Sequence, residues 1–271
     1  MGRGTVNQPT NTTESFNQND FHQTISNRMS KLFREHFGKG PESVFVSSGY
    51  KFISIYLRNF LSPMEKVLLE NDQDFTLAEL RQQVMQALLP EIKAYIEMLS
   101  GIKIEELYYD WNFHNRSGLI FAVTDNPLSN IANLEQEFEG KKLLEDEIIR
   151  ISQNAQKVPE EVFSFLFHPK ILVIIRKGIL VRIEKELIRV GHGPLLKRVK
   201  ANLEKSYLHN TSSFEGILKQ RVLEVFVDWN FDIDKSIIVY ILNPKRLQGQ
   251  GDKPMVERAD ANTFEQEDEN P

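Results

Sequence analysis

The residues best suited to chemistry lie in a short segment, Asp-Trp-Asn-Phe, that occurs twice in the chain, at 110–113 and 228–231. Hydrophobic and aromatic neighbours predict that each copy is a β-strand, and successive side chains of a strand point to opposite faces. The tryptophan and phenylalanine therefore face inward, while the aspartate and asparagine share the opposite face. The candidate site residues on that face are Asp110, Asn112, Asp228 and Asn230.

Two interpretations of this Asp-Asn face remain open. It can form a polar ligand site or, together with His114 and Asp232, a weak cation site. It can instead be structural, because aspartate and asparagine satisfy turn amides at the end of a hairpin or face water. The spacing is too common in proteins to define a metal motif.

Arg58 and Arg176 occupy equivalent positions inside otherwise apolar strand segments. A strand arginine among apolar residues costs desolvation unless it is paired or lies at an edge. One interpretation is a structural ion pair, and the other is an arginine that binds bicarbonate, phosphate or an acidic ligand. The candidate carboxylate partners are Glu65 and Glu184, or Asp110 and Asp228.

Other chemistry is excluded or has no support in the sequence. The chain of 271 residues has no cysteine, which excludes disulfides, thiolate metal sites and thiol catalysis. Its six histidines show no metal-ligand spacing, and no nucleophile-elbow, Walker or dinucleotide-binding pattern occurs. We therefore predict no metal and no cofactor, and the sequence favours a protein that is not an enzyme.

The net charge and the hydropathy of the chain limit the classes of partner that it can bind. A net charge of −5 gives no general attraction to nucleic acid. The basic cluster Lys197, Arg198 and Lys200 is interpreted as a solvated helix face or a domain edge. No segment approaches the roughly 18 apolar residues that span a bilayer, and the polar N-terminus is not a signal peptide. These features predict a cytoplasmic protein that acts on protein partners.

The elements that position these residues also repeat, at an offset of about 118 residues and in the same order. The predicted fold class is α+β, with two tandem homologous units. Each unit is expected to run helix, β-hairpin, helices, β-hairpin, and to pack a mostly antiparallel four-stranded sheet against its helices. The expected divisions are a disordered tail at 1–19, units at 20–127 and 141–244, a linker at 128–140 and a disordered acidic tail at 245–271.

The two copies are predicted to differ in their helix caps and in their burial. Ser62 and Glu65 form a capping box in the first copy, and a second box is predicted at 76–79. Leu180 and Val181 stand where Ser62 and Pro63 stood, so the short helix of the second copy loses its side-chain cap. The strand 171–175 is apolar on both faces and must be covered on both sides. The second copy is therefore expected to pack against the first.

The order of motifs resembles a bacterial family named as a component of a Na⁺-translocating membrane-potential-generating system, the MpsC-like family. The resemblance rests on 37–44, on 57–66 and on the strand with Asp110 and Asn112; it is weaker over 141–244. It implies a link to membrane cation or inorganic-carbon transport, but supplies no activity and no catalytic residues.

The resulting functional hypothesis is a non-enzymatic accessory or regulatory protein of such a membrane transport complex. It would be cytoplasmic, or peripheral to the membrane through a partner. The alternative is a small-ligand (anion) sensor in which Arg58 lines one pocket with Asp110 and Asn112. An enzyme that uses the same polar face is the third hypothesis.

Overall fold

The arrangement of secondary structure follows the predicted repeat. A computed structural model describes residues 18–128, 134, 136–208 and 211–243. Most of the expected tails and six of the 13 positions of the expected linker (129–133 and 135) lie outside these residues, and the first helix already begins at Gln18. The first unit contains α1 (Gln18–Phe37), β1 (Ser43–Gly49), β2 (Phe52–Arg58), α2 (Pro63–Glu70), α3 (Asp74–Ser100), β3 (Ile104–Asn112) and β4 (Ser117–Thr124). The second contains α4 (Lys141–Ala155), β5 (Glu161–His168), β6 (Ile171–Lys177), α5 (Arg182–Arg189), α6 (Gly193–Leu208), α7 (Thr211–Leu218), β7 (Arg221–Asn230) and β8 (Lys235–Asn243).

Each unit builds one four-stranded antiparallel sheet, in the order β1-β2-β4-β3 and β5-β6-β8-β7. The two orders are equivalent strand for strand, which confirms the predicted α+β class and the tandem repeat. The strands β3 and β7, which carry Asp-Trp-Asn, lie at equivalent edges of their sheets. Their outer edges are therefore free to meet another part of the chain.

Strand alternation separates the apolar side chains into three layers of core. In the first unit Trp111 packs on one sheet face with the buried residues of α1 and α3. In the second unit Trp229 packs in the same way with residues of α4 and α7. The opposite faces of the two sheets pack on each other, where the rings of Phe52 and Phe165 stack at 5.0 Å. The layers therefore run helices, sheet, sheet, helices.

The strand β6 shows why the second copy must pack on the first. Leu172 and Ile174 face the helices of their own unit, whereas Ile171 and Val173 face the sheet of the first unit. All four side chains are buried, with at most 6% exposure. The prediction that this strand is covered on both sides is confirmed.

The caps are as predicted at α2 and α5 but not at α3. Ser62 and Glu65 form the capping box of α2, and Val181 provides no side-chain cap for α5. The box predicted at 76–79 is wrong, because α3 already begins at Asp74 and places Thr76 inside its first turn. The chain reverses tightly here, with Asp72 at a φ of 55° and the Gln73 amide donating to Leu68, so the helix starts earlier. α3 then continues through Pro90 as one helix of 27 residues.

Over the described residues, no helix combines the length and the apolar character needed to cross a membrane.

Candidate functional site between the two units

The two copies of Asp-Trp-Asn meet where the edge strands β3 and β7 come together. Asp110 accepts a hydrogen bond from the Val227 amide at 2.8 Å, and Asp228 accepts one from the Tyr109 amide at 2.9 Å. Each aspartate therefore satisfies a backbone group of the other unit's edge strand. The exchange is reciprocal, as the equivalence of the two units requires.

Both aspartates are also paired with lysines of α6. Lys205 Nζ lies 2.6 Å from Asp110 Oδ2, and Lys197 Nζ lies 2.9 Å from Asp228 Oδ1. The two lysines are eight residues apart, which places them on one face of the helix. Burial raises the pKa of the Asp110 carboxyl, and the Lys205 ammonium opposes that rise. The second unit thus supplies both ammonium groups that neutralise the two aspartates at this contact.

A cavity of about 560 Å³ lies beside these ion pairs, between α3, α6 and the two edge strands. Its size is within the range of small-molecule sites. Three of the predicted site residues line it, namely Asp110, Asn112 and Asp228, together with Tyr109, Lys197 and Lys205. The carboxylates of Asp110 and Asp228 that face the cavity are therefore already engaged by backbone amides and by lysines.

The two asparagines of the repeat have different roles. Asn112 is buried and donates to Glu224 Oε2 at 2.9 Å and to the Val225 carbonyl at 3.0 Å, both in the second unit. Asn230 instead accepts from the Asp232 amide at 3.2 Å, within its own turn. Asn112 therefore joins the units, whereas Asn230 follows the turn-amide interpretation.

Arg176 forms a buried ion pair, although its partner is not one of the predicted carboxylates. Its guanidinium is fully buried and donates to Glu204 at 2.5 Å, to Ser152 at 2.9 Å and to Ser236 at 2.8 Å. Glu184 and Asp228 were the predicted partners of Arg176. That prediction is wrong, because both of these carboxylates pair with lysines of α6. Nothing in the local sequence linked Arg176 to Glu204, which is 28 residues further along.

Arg58 is exposed rather than buried, and the repeat is asymmetric at this position. Its guanidinium lies 5.9 Å from the centre of the Phe45 ring. Within the described ranges no carboxylate forms an ion pair with it, so the expected pairing with Glu65 or Asp110 is not formed. The reason is that Arg58 ends its strand at the surface, whereas Glu65 points into the core of the unit.

Glu65 has a different cationic partner, Arg81 of α3. The Arg81 Nε donates to Glu65 Oε1 at 2.7 Å, and its guanidinium lies 4.4 Å from the centre of the Trp111 ring. Burial alone would raise the pKa of Glu65, but Arg81 and the Ser62 cap together hold it below its ordinary value. The capping glutamate thereby also anchors the long helix.

The second unit repeats this arrangement with a lysine in place of the arginine. Lys200 Nζ lies 2.7 Å from Glu184 and 5.4 Å from the centre of the Trp229 ring. Burial lowers the pKa of Lys200, and Glu184 opposes that shift. The prediction of a solvated basic cluster is therefore wrong for Lys200, which is 5% exposed. The sequence did contain a signal of this burial, because Lys200 lies at helical spacing from Leu196 and Leu208, the inward residues of α6.

The cation-site interpretation would need a group of acidic or histidine ligands. Among the residues whose structure is described, no three or more side chains of these types are arranged to hold a metal ion. What the arrangement does provide is a set of charge-assisted hydrogen bonds that hold one unit against the other.

The fold and this contact define a class of protein built from two equivalent α+β units whose edge strands are joined by exchanged aspartates. A family model described as Na⁺-translocating membrane potential-generating system (MpsC) matches residues 17–126 and 139–244. The chain therefore belongs to the MpsC family and contains two tandem copies of its unit. No curated protein and no solved structure shows a significant match to the chain.

Proposed function

We propose that this chain is a non-enzymatic accessory or regulatory protein of a membrane system that generates a sodium-dependent potential. It acts in the cytoplasm, at the membrane surface, by binding a protein subunit of that system. The family description supports the link to a membrane potential. The mode of action is supported by an exposed apolar surface on the second unit.

This surface, the α5–α6 face, consists of two rows of apolar side chains. Leu195, Val199 and Leu203 of α6 are 41%, 49% and 42% exposed, at a spacing of four residues. Ile183 of α5, which packs beside α6, is 66% exposed, and Val190, the residue that caps the C-terminus of α5, is 55% exposed. Rows at this spacing form one side of a helix and pack well against another helix.

The α5–α6 face is the third side of α6, and the other two sides are already occupied. One side, with Leu196 and Leu208, is buried in the second unit. Another, with Lys197 and Lys205, binds the two aspartates at the contact between the units. The exposed row lies on neither of these sides, and exposed apolar rows of this kind are typical of surfaces that bind a partner helix.

The sensor alternative would need Arg58, Asp110 and Asn112 around one pocket. Asp110 and Asn112 line the cavity between α3 and α6, whereas Arg58 lines a different groove. The accessory role does not depend on that convergence, and we favour it for this reason.

The proposal is tested by producing the chain together with the membrane subunits of the system and measuring membrane potential and sodium movement in vesicles. Val199→Glu and Leu203→Glu should abolish both co-purification with those subunits and the effect of the chain on the potential. Both side chains are substantially exposed, so these variants should fold. Met98→Glu, at a side chain of α3 that is 67% exposed, is the matched control and should leave both properties intact.

The proposal would be abandoned if the unaltered chain neither bound those subunits nor changed the potential. Equal losses in Met98→Glu and Val199→Glu would show that added charge, rather than the α5–α6 face, caused the effect.

A further inference from the structure

A second groove lies between the two units, apart from the cavity beside Asp110 and independent of the α5–α6 face. Its volume is about 970 Å³. The first unit contributes α1, the strands β1 and β2, and Asn115 of the turn between β3 and β4. The second unit contributes the turn between β5 and β6 and the ends of β7 and β8. The groove runs along β2, whose ends are about 20 Å apart for an extended strand of this length.

The groove carries two unpaired positive charges. Arg58 lies at one end of β2, and Lys170 lies in the turn between β5 and β6 at the other end. Neither side chain forms an ion pair within the part of the chain that the structure describes. Burial lowers the pKa of both His22 and His168, so these imidazoles line the groove as neutral groups near pH 7. They offer hydrogen bonds without adding charge.

Among the described residues that line the groove, Glu224 is the one carboxylate, and both of its oxygens accept hydrogen bonds. Oε1 accepts from the Tyr56 hydroxyl at 2.7 Å, and Oε2 accepts from Asn112 at 2.9 Å and from Ser117. Its negative charge is therefore stabilised by hydrogen-bond donors rather than by an ion pair with Arg58 or Lys170. The groove as a whole remains positively charged.

A buried hydroxyl without a partner lies on the floor of the groove. Ser54 is 1% exposed, and its Oγ makes no hydrogen bond to any residue that the structure describes. Leaving a buried polar atom unsatisfied costs stability, so such atoms call for an explanation. Ser54 lies opposite Ser47 in the sheet, and the neighbouring Ser48 Oγ is 2.8 Å from His22 Nε2. Hydroxyls and imidazoles are thus concentrated toward the end of the groove that contains Lys170.

The middle of the groove is apolar and aromatic. The rings of Phe45 and Tyr56 stack at 6.2 Å, and Ile171 and Ile241 line the opposite side. A polar end with an unsatisfied hydroxyl, followed by an aromatic surface, is the arrangement that small-molecule sites use to orient a ligand.

We propose that this groove binds a small organic anion with an aromatic or apolar body. Its charged group lies at the end that contains Ser54 and Lys170, and its body extends along Phe45 and Tyr56 toward Arg58. This site goes beyond the accessory role proposed above and does not depend on it.

Two fluorescent probes that differ by one charged group test the site in the full chain. Anilinonaphthalene sulfonate is an aromatic anion, and phenylnaphthylamine is the same molecule without the sulfonate. Lys170→Gln should weaken binding of the sulfonate about fivefold, as expected for the loss of one partly solvated ionic contact. It should leave phenylnaphthylamine binding unchanged. Arg189→Gln, which removes an exposed cation of α5, is the matched control and should change neither affinity.

Ser54→Ala provides a second test, because a hydroxyl with only a structural role would not affect sulfonate binding while leaving the melting temperature intact. Removing the unsatisfied hydroxyl should leave the melting temperature unchanged or raise it, while it weakens sulfonate binding about twofold to threefold. Leu203→Gln should not alter the sulfonate affinity, which separates the groove from the α5–α6 face. The proposal is overturned if Lys170→Gln and Ser54→Ala bind the sulfonate as the parent does. It is also overturned if Lys170→Gln loses phenylnaphthylamine as strongly as the sulfonate.

Discussion

Asp110 and Asp228 occupy equivalent positions of the two copies, and each accepts a hydrogen bond from the strand that carries the other. Each also accepts from the amide of the tryptophan that follows it, at 2.7 Å and 2.8 Å. Both oxygens of each carboxylate are thereby used. The feature of the sequence that was most suggestive of chemistry therefore joins the two halves of the molecule.

Replacing either aspartate by asparagine should destabilise the protein markedly. In Asp110→Asn and Asp228→Asn, one acceptor becomes an NH₂ group that faces an amide, and a lysine of α6 loses its counter-charge. We expect each change to lower the free energy of unfolding by about 2–4 kcal/mol. Urea denaturation followed by tryptophan fluorescence measures the loss.

Asp232→Asn, an exposed change in the turn after β7, is the control for these variants. It should alter the free energy of unfolding by less than about 0.5 kcal/mol. A loss in Asp110→Asn no greater than in this control would contradict the structural role of the exchange.

The equivalent arginines of the repeat should respond differently to the same substitution. Arg176→Met leaves Glu204 buried without its cation and should cost about 3–5 kcal/mol. Arg58→Met removes an exposed guanidinium and should cost less than about 0.5 kcal/mol. The comparison is made by urea denaturation of both variants. Adding Glu204→Gln to Arg176→Met should recover part of the loss, and a lack of recovery would show that packing, rather than charge, dominates.

The missing cap of α5 should be restorable. Val181 has the extended backbone of an N-cap, with a φ of −84° and a ψ of 164°, and its amide already donates to Glu184 at 2.9 Å. Val181→Ser should therefore complete a capping box and be about 1 kcal/mol more stable than Val181→Ala, which has the same loss of apolar contact.

The matched change in the first unit is Ser62→Ala, which should lower the free energy of unfolding by a similar amount. Equal stabilities of Val181→Ser and Val181→Ala would show that the serine does not cap α5.

Stability should depend on pH through His22. Burial, and to a smaller extent the neighbouring His168, lowers the pKa of His22 below its ordinary 6.5. The unfolded chain therefore takes up a proton at higher pH than the folded chain does. The contribution of His22 to stability is complete above pH 6.5 and is lost as the pH falls through the folded-state pKa.

His22→Gln should remove this part of the pH dependence. Urea unfolding of the parent and the variant across the range from about pH 8 to pH 5 measures it, and the two curves should run parallel above pH 7. Parallel curves over the whole range would mean that His22 does not contribute.

Local rules of sequence were enough to predict the elements of this fold. Alternation placed Trp111 and Trp229 in the cores of their units, and the capping box of α2 follows from Ser62 and Glu65 alone. These rules involve residues that are close in the chain, where the geometry of one strand or one helical turn determines which side chains meet. The box predicted at 76–79 failed because a tight reversal at Asp72, outside the helix pattern, moved the start of α3.

The partners of the charged residues could not be predicted in the same way. Arg176 pairs with a glutamate of α6, and Asp110 pairs with a lysine 95 residues away. Such pairs depend on how helices lie over the sheets and on how the sheets face each other, which local periodicity does not encode. The burial of Lys200 was missed for a different reason: its basic neighbours Lys197 and Arg198 suggested a surface, although its spacing from Leu196 and Leu208 places it on the inward side of α6.

Because the two halves belong to one polypeptide, the exchange between Asp110 and Asp228 is an intramolecular event. Two separate units held by the same hydrogen bonds would dissociate on dilution, whereas covalently joined units experience a local concentration in the millimolar range. The paired state is then independent of how much of the protein the cell makes. The covalent link also pairs each copy with the other, non-identical copy, so the two contact surfaces are free to diverge in sequence. They have already diverged, because both lysines that pair with Asp110 and Asp228 lie on α6 of the second unit.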